Sequence, residues 1–131
     1  MKPDITGVIP CYNAQDTLES VILSLKFQSI PLYEIIVIDD GSTDYSCSIA
    51  ADLGCRLISI DKSKGRGHAR MVGVSESKTP FILFCDSSNT LPSCFAEQAI
   101  QQFKDPLVCA SFGRILNHQN LKRTQKHIKK L

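Results

Sequence analysis

Residues 35–38 of this 131-residue chain read Ile-Ile-Val-Ile and run without a break into Asp39 and Asp40, followed by Gly41, Ser42, Thr43 and Asp44. A short, uninterrupted apolar run suits a strand buried on both faces, as in a parallel sheet covered by helices. Two adjacent carboxylates at its end repel each other. They are tolerable where one accepts hydrogen bonds and the other meets a cation. The fold must therefore bury the strand and also supply partners for its acidic end.

The rest of the chain repeats the theme. Residues 5–10 read as a strand, and Asn13 or Asp16 is placed to cap the helix after it. In that helix Leu18, Val21, Ile22 and Leu25 fall at i, i+3, i+4 and i+7 and form one stripe. Residues 34–39 are the second strand. Ser42, Thr43 or Asp44 is expected to cap a second helix that ends near Leu53, with Gly54 as its stop signal. Residues 55–60 form a third strand, 62–66 a polar turn and 68–77 a helix. Residues 79–85 form a fourth strand, and Pro92 opens a helix running to about Lys104. Residues 107–112 read as a fifth strand. Such alternation predicts an α/β fold with a mainly parallel sheet. In such sheets ligands sit outside the carboxyl ends of the strands, which is where Asp39, Asp40 and Asp86 fall.

Composition narrows the class. With 43% hydrophobic and 21% charged residues the chain is globular. No apolar run approaches the ~18 residues of a membrane span, and residues 1–10 lack the apolar core of a secretory leader. The six cysteines form no CxxC pair, and Cys11, Cys85 and Cys109 sit in apolar runs. That predicts buried free thiols in a reducing compartment, and so a cytoplasmic protein. The net charge of +2 hides an uneven spread: Lys122, Arg123, Lys126, Lys129 and Lys130 leave the first 121 residues at −3. An acidic body with a basic tail argues against nucleic acid as a partner.

Two stretches carry chemistry. Asp39, Asp40 and Asp86 on one rim suit Mg²⁺ or Mn²⁺ shared with a phosphate, although an Asp-Gly turn with a Ser/Thr cap would account for residues 39–43 equally well. Residues 63–70, Ser-Lys-Gly-Arg-Gly-His-Ala-Arg, fail the dinucleotide fingerprint because Arg70 stands where the third glycine belongs. They also lack the P-loop ending. A basic, glycine-containing turn leading into a helix can still hold a diphosphate through backbone N–H groups and arginine. His118 and His127 read as solvated surface, and no Cys/His spacing matches a zinc site.

Together, residues 8–13 (VIPCYN), 34–44 (EIIVIDDGSTD), 64–73 (KGRGHARMVG) and 81–89 (FILFCDSSN) resemble the N-terminal half of a family 2 glycosyltransferase. The resemblance covers nearly the whole chain. It implies a Rossmann-like GT-A fold and transfer of a sugar, usually with inversion, from a nucleotide-diphospho-sugar, commonly a UDP-sugar, to an acceptor hydroxyl. By resemblance Pro10, Tyr12 and Asn13 lie beside the nucleotide, Asp39 hydrogen-bonds the base with Asp40 and Gly41 close by, and Arg70 approaches the ribose or diphosphate. Asp86 is the first acid of the family's D-x-D element, which meets the ribose and a metal-bound diphosphate.

The pattern departs from the family in two ways. D-x-D here reads Asp86-Ser87-Ser88, so the metal set is reduced to Asp86 with Ser88 or Asn89 as weak substitutes. The family's general base and acceptor region are expected beyond Leu131, so residues 5–116 read as a nucleotide-sugar-binding domain without its catalytic half. The acceptor could be a saccharide, a lipid-linked group or another hydroxyl compound. Residues 117–131 form a basic, helix-prone tail able to rest on anionic lipid or to lead into a missing half or partner chain. Two other functions stay open. One is a non-catalytic nucleotide-binding or partner-binding module. The other is a phosphoacceptor receiver domain, whose acidic doublet and later strand-end Asp this arrangement mimics.

Overall fold

The computed structural model of the chain describes residues 4–113. Four strands, β1 (Ile5–Cys11), β2 (Glu34–Asp39), β3 (Arg56–Ser59) and β4 (Phe81–Phe84), form one sheet in the order β3-β2-β1-β4. Every pairing is parallel. Helices α1 (Leu18–Lys26), α2 (Ser46–Asp52) and α3 (Arg66–Glu76) are the crossovers, and α4 (Phe95–Gln102) follows β4.

Strand residues alternate faces, and the two cores follow that alternation. Ile9, Cys11, Ile35 and Val37 pack with Leu18, Val21, Ile22 and Leu25 of α1 and with Ala50 of α2. Val8, Ile36 and Ile38 face the other way, onto Ala69 and Val72 of α3. The helical stripe read from the sequence is thus wholly buried, and burying each such side chain contributes about 1.5–3 kcal/mol. Because α1 and α2 cover one face and α3 the other, the order of winding reverses at β1. The crevice between the carboxyl ends of β1 and β4 is therefore the topological switch point.

Several local expectations change. Neither Asn13 nor Asp16 caps α1. Thr17 holds the cap position and makes no side-chain bond to the helix; its hydroxyl goes instead to the Ser87 carbonyl at 2.7 Å. Asn13 adopts φ 47° and serves the next loop. Tyr45 stands at the cap of α2, and Asp44, one residue earlier, accepts the Ser46 N–H at 2.9 Å. At the other end the Gly54 and Cys55 N–H groups return to the Ala51 and Ala50 carbonyls, the paired bonds of a Schellman stop. Helix α3 starts two residues earlier than expected, from Gly65 at φ 88°, a conformation glycine reaches without strain.

Strand β4 is one of the sheet's two edges among the described residues, β3 being the other, and is only half-buried. Residues 107–112 are not a strand. The Asp105 carboxylate accepts the Leu107 N–H at 2.9 Å, and its carbonyl accepts from Val108. This Asx-type turn around Asp105-Pro106 overrides the apolar run, and Leu107 and Phe112 stay exposed. Cys109 is likewise exposed rather than buried, while all six cysteines are free thiols. The expected tail, residues 117–131, lies outside the described residues. No described helix is long and apolar enough to cross a membrane.

The chain divides into a unit ending at Gln98 and a short one beginning at Ala99. In the first, α1 is tied to the start of α4. Gln28 accepts the Ala96 N–H through Oε1 at 2.8 Å and donates to the Pro92 carbonyl through Nε2 at 2.9 Å. The second unit's described part continues α4 and then turns on itself through residues 103–108.

Candidate functional site at the carboxyl end of the sheet

The acidic doublet is tolerated because its members point to opposite faces. Asp39 follows Ile35 and Val37 onto the α1/α2 side, and Asp40 follows Ile36 and Ile38 onto the α3 side. Asp39 is 4% exposed, and both its carboxylate oxygens accept the Ser42 N–H at 3.2 Å. The Cys47 thiol also leans on it. Asp40 is 5% exposed and holds three donors from the turn before α3: the Ser63 hydroxyl at 2.8 Å, the Lys64 N–H at 2.9 Å and the Gly65 N–H at 3.0 Å. Protein donors thus meet both charges. The Lys64 and Gly65 N–H groups, expected to cradle a phosphate, are already taken by Asp40.

Those bonds hold the Asp40 carboxyl below its ordinary value of 3.8. The Lys64 N–H contributes most, and burial opposes it. A lowered folded value means stability that is fully present above pH 3.8 and is lost as pH falls through the folded value. Asp40→Asn is therefore expected to melt below wild type at pH 7, with the gap closing below pH 3.8. Thermal melts of both proteins between pH 7 and 2 check this.

The loops after β1 and β2 interlock. The Asn13 N–H donates to the Ser42 hydroxyl at 2.9 Å, and Asn13 Oδ1 accepts the Thr43 N–H at 2.8 Å. The Gln15 N–H reaches Asp44 at 3.0 Å, and the Ala14 N–H reaches the buried Ser46 hydroxyl at 2.9 Å. Asn13 and Gly41 therefore shape the rim.

Between these loops and α3 lies a cavity of about 270 Å³, walled by Pro10, Cys11, Tyr12, Asp40, Ser63, Gly65, Arg66, Ala69 and Ser87. That is slightly below the ~300 Å³ at which ligand pockets begin, so it would take part of a nucleotide rather than all of it. A second cavity, of about 220 Å³, lies at the amino end of β2 near Leu32 and Glu34, away from the acidic rim. Of the residues expected from sequence, Pro10, Tyr12 and Asp40 are on the wall of the first cavity. Asn13, Asp39, Gly41, Arg70 and Asp86 are not. Arg70 Nη2 donates to Asp86 Oδ1 at 2.7 Å in a half-exposed ion pair.

Sequence reasoning missed Ser63, Arg66 and Cys11 as wall residues. The basic turn was visible, but which of its groups face inward depends on Asp40. Cys11 is a closed thiol: burial raises its pKa, and Cys47 and Cys85 are pushed up to about 11, chiefly by burial. All three stay protonated at neutral pH and are poor nucleophiles.

Among the described residues no three His, Cys, Asp or Glu side chains converge as a metal site. Asp86 is held by Arg70. Ser88 is exposed on the turn that the Asn89 N–H closes onto the Asp86 carbonyl at 3.1 Å, and the Asn89 carbonyl accepts the Cys85 thiol. A divalent cation would draw one carboxylate from this chain and the rest of its oxygen shell from a diphosphate and water, a composition Mg²⁺ sites use.

Comparison with known proteins matches this chain in sequence and fold. The O-antigen chain rhamnosyltransferase RfbN of Salmonella typhimurium is 34% identical over 121 residues, covering 88% of this chain and 38% of RfbN. A Pyrobaculum calidifontis mannosyltransferase, solved with GDP-Man and Mn²⁺, superposes with a TM-score of 0.74 at 24% identity, over 82% of this chain and 34% of that one. Glucosyl-3-phosphoglycerate synthase from Mycobacterium tuberculosis, solved with Mn²⁺, UDP and glucosyl-3-phosphoglycerate, gives 0.67 at 26% identity, over 77% and 39%. The chain thus spans well under half the length of these relatives. The receiver reading fails here, because β1 separates the strand bearing the doublet from the strand leading to Asp86. The family model described as glycosyl transferase family 2 matches residues 6–130, and the chain belongs to that family.

Proposed function

We propose that this chain binds the nucleotide-diphosphate part of a sugar donor at the switch point, for transfer of the sugar to an acceptor hydroxyl with inversion. The cavity between the ends of β1 and β4, with Arg66 on its wall and the Arg70–Asp86 pair beyond β4, carries the reading. Pro10 and Tyr12 line the nucleoside side, with Asn13 and Gly41 shaping the rim. Asp39, oriented by Ser42, takes the base. Arg70 turns from Asp86 to the diphosphate. When bound, a divalent cation at Asp86, with Ser88 or Asn89 as further oxygen donors, neutralises charge on the departing diphosphate. Uridine is the base favoured by the family resemblance and by the UDP complex of the synthase.

The binding domain is taken as residues 5–116 and the basic tail as residues 117–131. The relatives' names point to saccharide acceptors, and the six unpaired cysteines favour a reducing compartment. A binding module without transferase activity fits the same cavity, because Asp40 is occupied by three donors and the described wall holds no other carboxylate and no histidine to act as a general base.

Calorimetric titration of UDP into the 131-residue chain tests the reading. Binding that Mn²⁺ strengthens is expected. No binding of UDP or GDP at millimolar concentration by folded protein overturns it. A companion variant separates binding from stability. The Arg70–Asp86 pair is half-exposed and contributes only ~0–1 kcal/mol, so Arg70→Ala should melt close to wild type. Its UDP affinity should fall about tenfold, the effect of one charge-assisted hydrogen bond.

A further inference from the structure

We infer that Asp40 is a positioning residue: it contributes to nucleotide binding by fixing the turn 63–65 so that Arg66 faces the diphosphate. The inference rests on the proposed donor site and adds two roles to it. Asp40 has its Oδ1 on the Lys64 N–H and its Oδ2 on both the Ser63 hydroxyl and the Gly65 N–H. A carboxylate accepts at two oxygens with about four lone-pair sites, and three of these are occupied within hydrogen-bonding distance. With three separate protein donors already on its two oxygens, Asp40 has little accepting capacity left for a ligand. It is therefore built to hold the protein.

What it holds is the start of α3. Gly65 is the cap residue, with no side-chain cap bond, and Ala69 N–H to Gly65 carbonyl at 3.1 Å closes the first helical turn. Arg66, the first residue of α3, lines the cavity together with Ser63 and Gly65. Every residue of the turn from 61 to 65 is exposed, as is Arg66 after it. Its anchor among the described hydrogen bonds is the Asp40 carboxylate, and Ile60 N–H to Asp39 carbonyl at 2.8 Å holds only its base. Freed from Asp40, the turn would lose the geometry that brings Arg66 to the wall. Lys62 and Lys64, also in this turn, are not on that wall. The cationic group assigned to the diphosphate beside Arg70 is Arg66, which makes no ion pair among the described residues. A guanidinium so placed suits two-point recognition of phosphate oxygens.

Asp40→Asn is the direct test, because the amide keeps the shape but sets an N–H group against N–H donors. UDP and uridine are titrated separately into the 131-residue chain, its Asp40→Asn and Arg66→Gln variants, and the double variant. We expect UDP to bind about tenfold more weakly to either single variant and no more weakly to the double variant than to the singles, with uridine affinity within about twofold of wild type throughout. Equal loss of UDP and uridine, or additive losses in the double variant, overturns the inference while leaving the donor site standing. Wild type that binds neither ligand overturns both. Should Asp40→Asn not fold, Ser63→Ala removes one of the three bonds. It should weaken UDP binding two- to threefold without affecting uridine, and an unchanged UDP affinity overturns the inference.

Discussion

Asp39→Ala is expected to weaken UDP binding by about tenfold to a hundredfold, read by calorimetry. The range follows from a hydrogen bond to a charged group, which contributes ~1.5–3 kcal/mol, converted at 1.4 kcal/mol per tenfold. Asp39 is suited to the base because its orientation is already fixed. Both oxygens accept the Ser42 N–H at 3.2 Å, long enough to leave lone pairs for a second donor. Ser42 in turn is locked to Asn13 across the two loops. A preorganised acceptor loses little freedom on binding. The same variant leaves the Ser42 N–H without its acceptor, so it should also melt lower. Circular dichroism at the titration temperature must first show it folded. Affinity within twofold of wild type would remove Asp39 from the site.

Gly73→Ala is expected to destabilise the fold by about 1–3 kcal/mol, the usual cost of overpacking. On a chain of this size that lowers the melting temperature by roughly 5–10 °C. A Cβ at Gly73 would stand 2.3 Å from Val8 Cγ1. Val8 is fully buried in the centre of the sheet, and its branched side chain has few rotamers to retreat into. The helix must move instead. Because α3 carries Arg66 and Arg70, the displacement should also weaken UDP binding. A melting temperature within 2 °C of wild type would show that α3 can slide on β1 more freely than the packing suggests.

Much of this architecture was legible in the sequence. The mainly apolar segment 5–10 and the unbroken apolar run 35–38 marked the central strands, and the stripe at Leu18, Val21, Ile22 and Leu25 marked the helix across them. Strand-end acids marked the candidate rim. Residues 107–112 misled because an apolar run specifies burial only where a neighbouring strand exists, and Asp105 competes locally for the backbone. The caps misled because Asn13 and Asp44 bond between loops as well as, or instead of, along their own helices. Such pairings span about 30 residues of sequence and are set only once β1 and β2 lie side by side.

The doublet shows the same limit within the site. Asp39 and Asp40 look alike in sequence, and both read as ligand groups. The period-two alternation of a strand separates them: one faces the loop of Ser42, the other the turn of Ser63. Which of the two stays open to a base follows from how many donors each has collected. Asp40 has three distinct donors, whereas Asp39 has one backbone N–H shared between its oxygens and the weakly donating Cys47 thiol. The arginines divide in a parallel way. Arg56 is spent on Glu34 and Glu76 at the far end of β3, while Arg66 and Arg70 remain on the carboxyl side, where an anion would arrive.

The most direct test of the account is a crystal structure of the 131-residue chain with UDP and Mn²⁺. The account predicts density between the carboxyl ends of β1 and β4, the uracil within hydrogen-bonding distance of Asp39, and Arg70 moved from Asp86 to a phosphate oxygen. A nucleotide bound elsewhere, or one bound here with Asp39 out of reach and the Arg70–Asp86 pair intact, would contradict it.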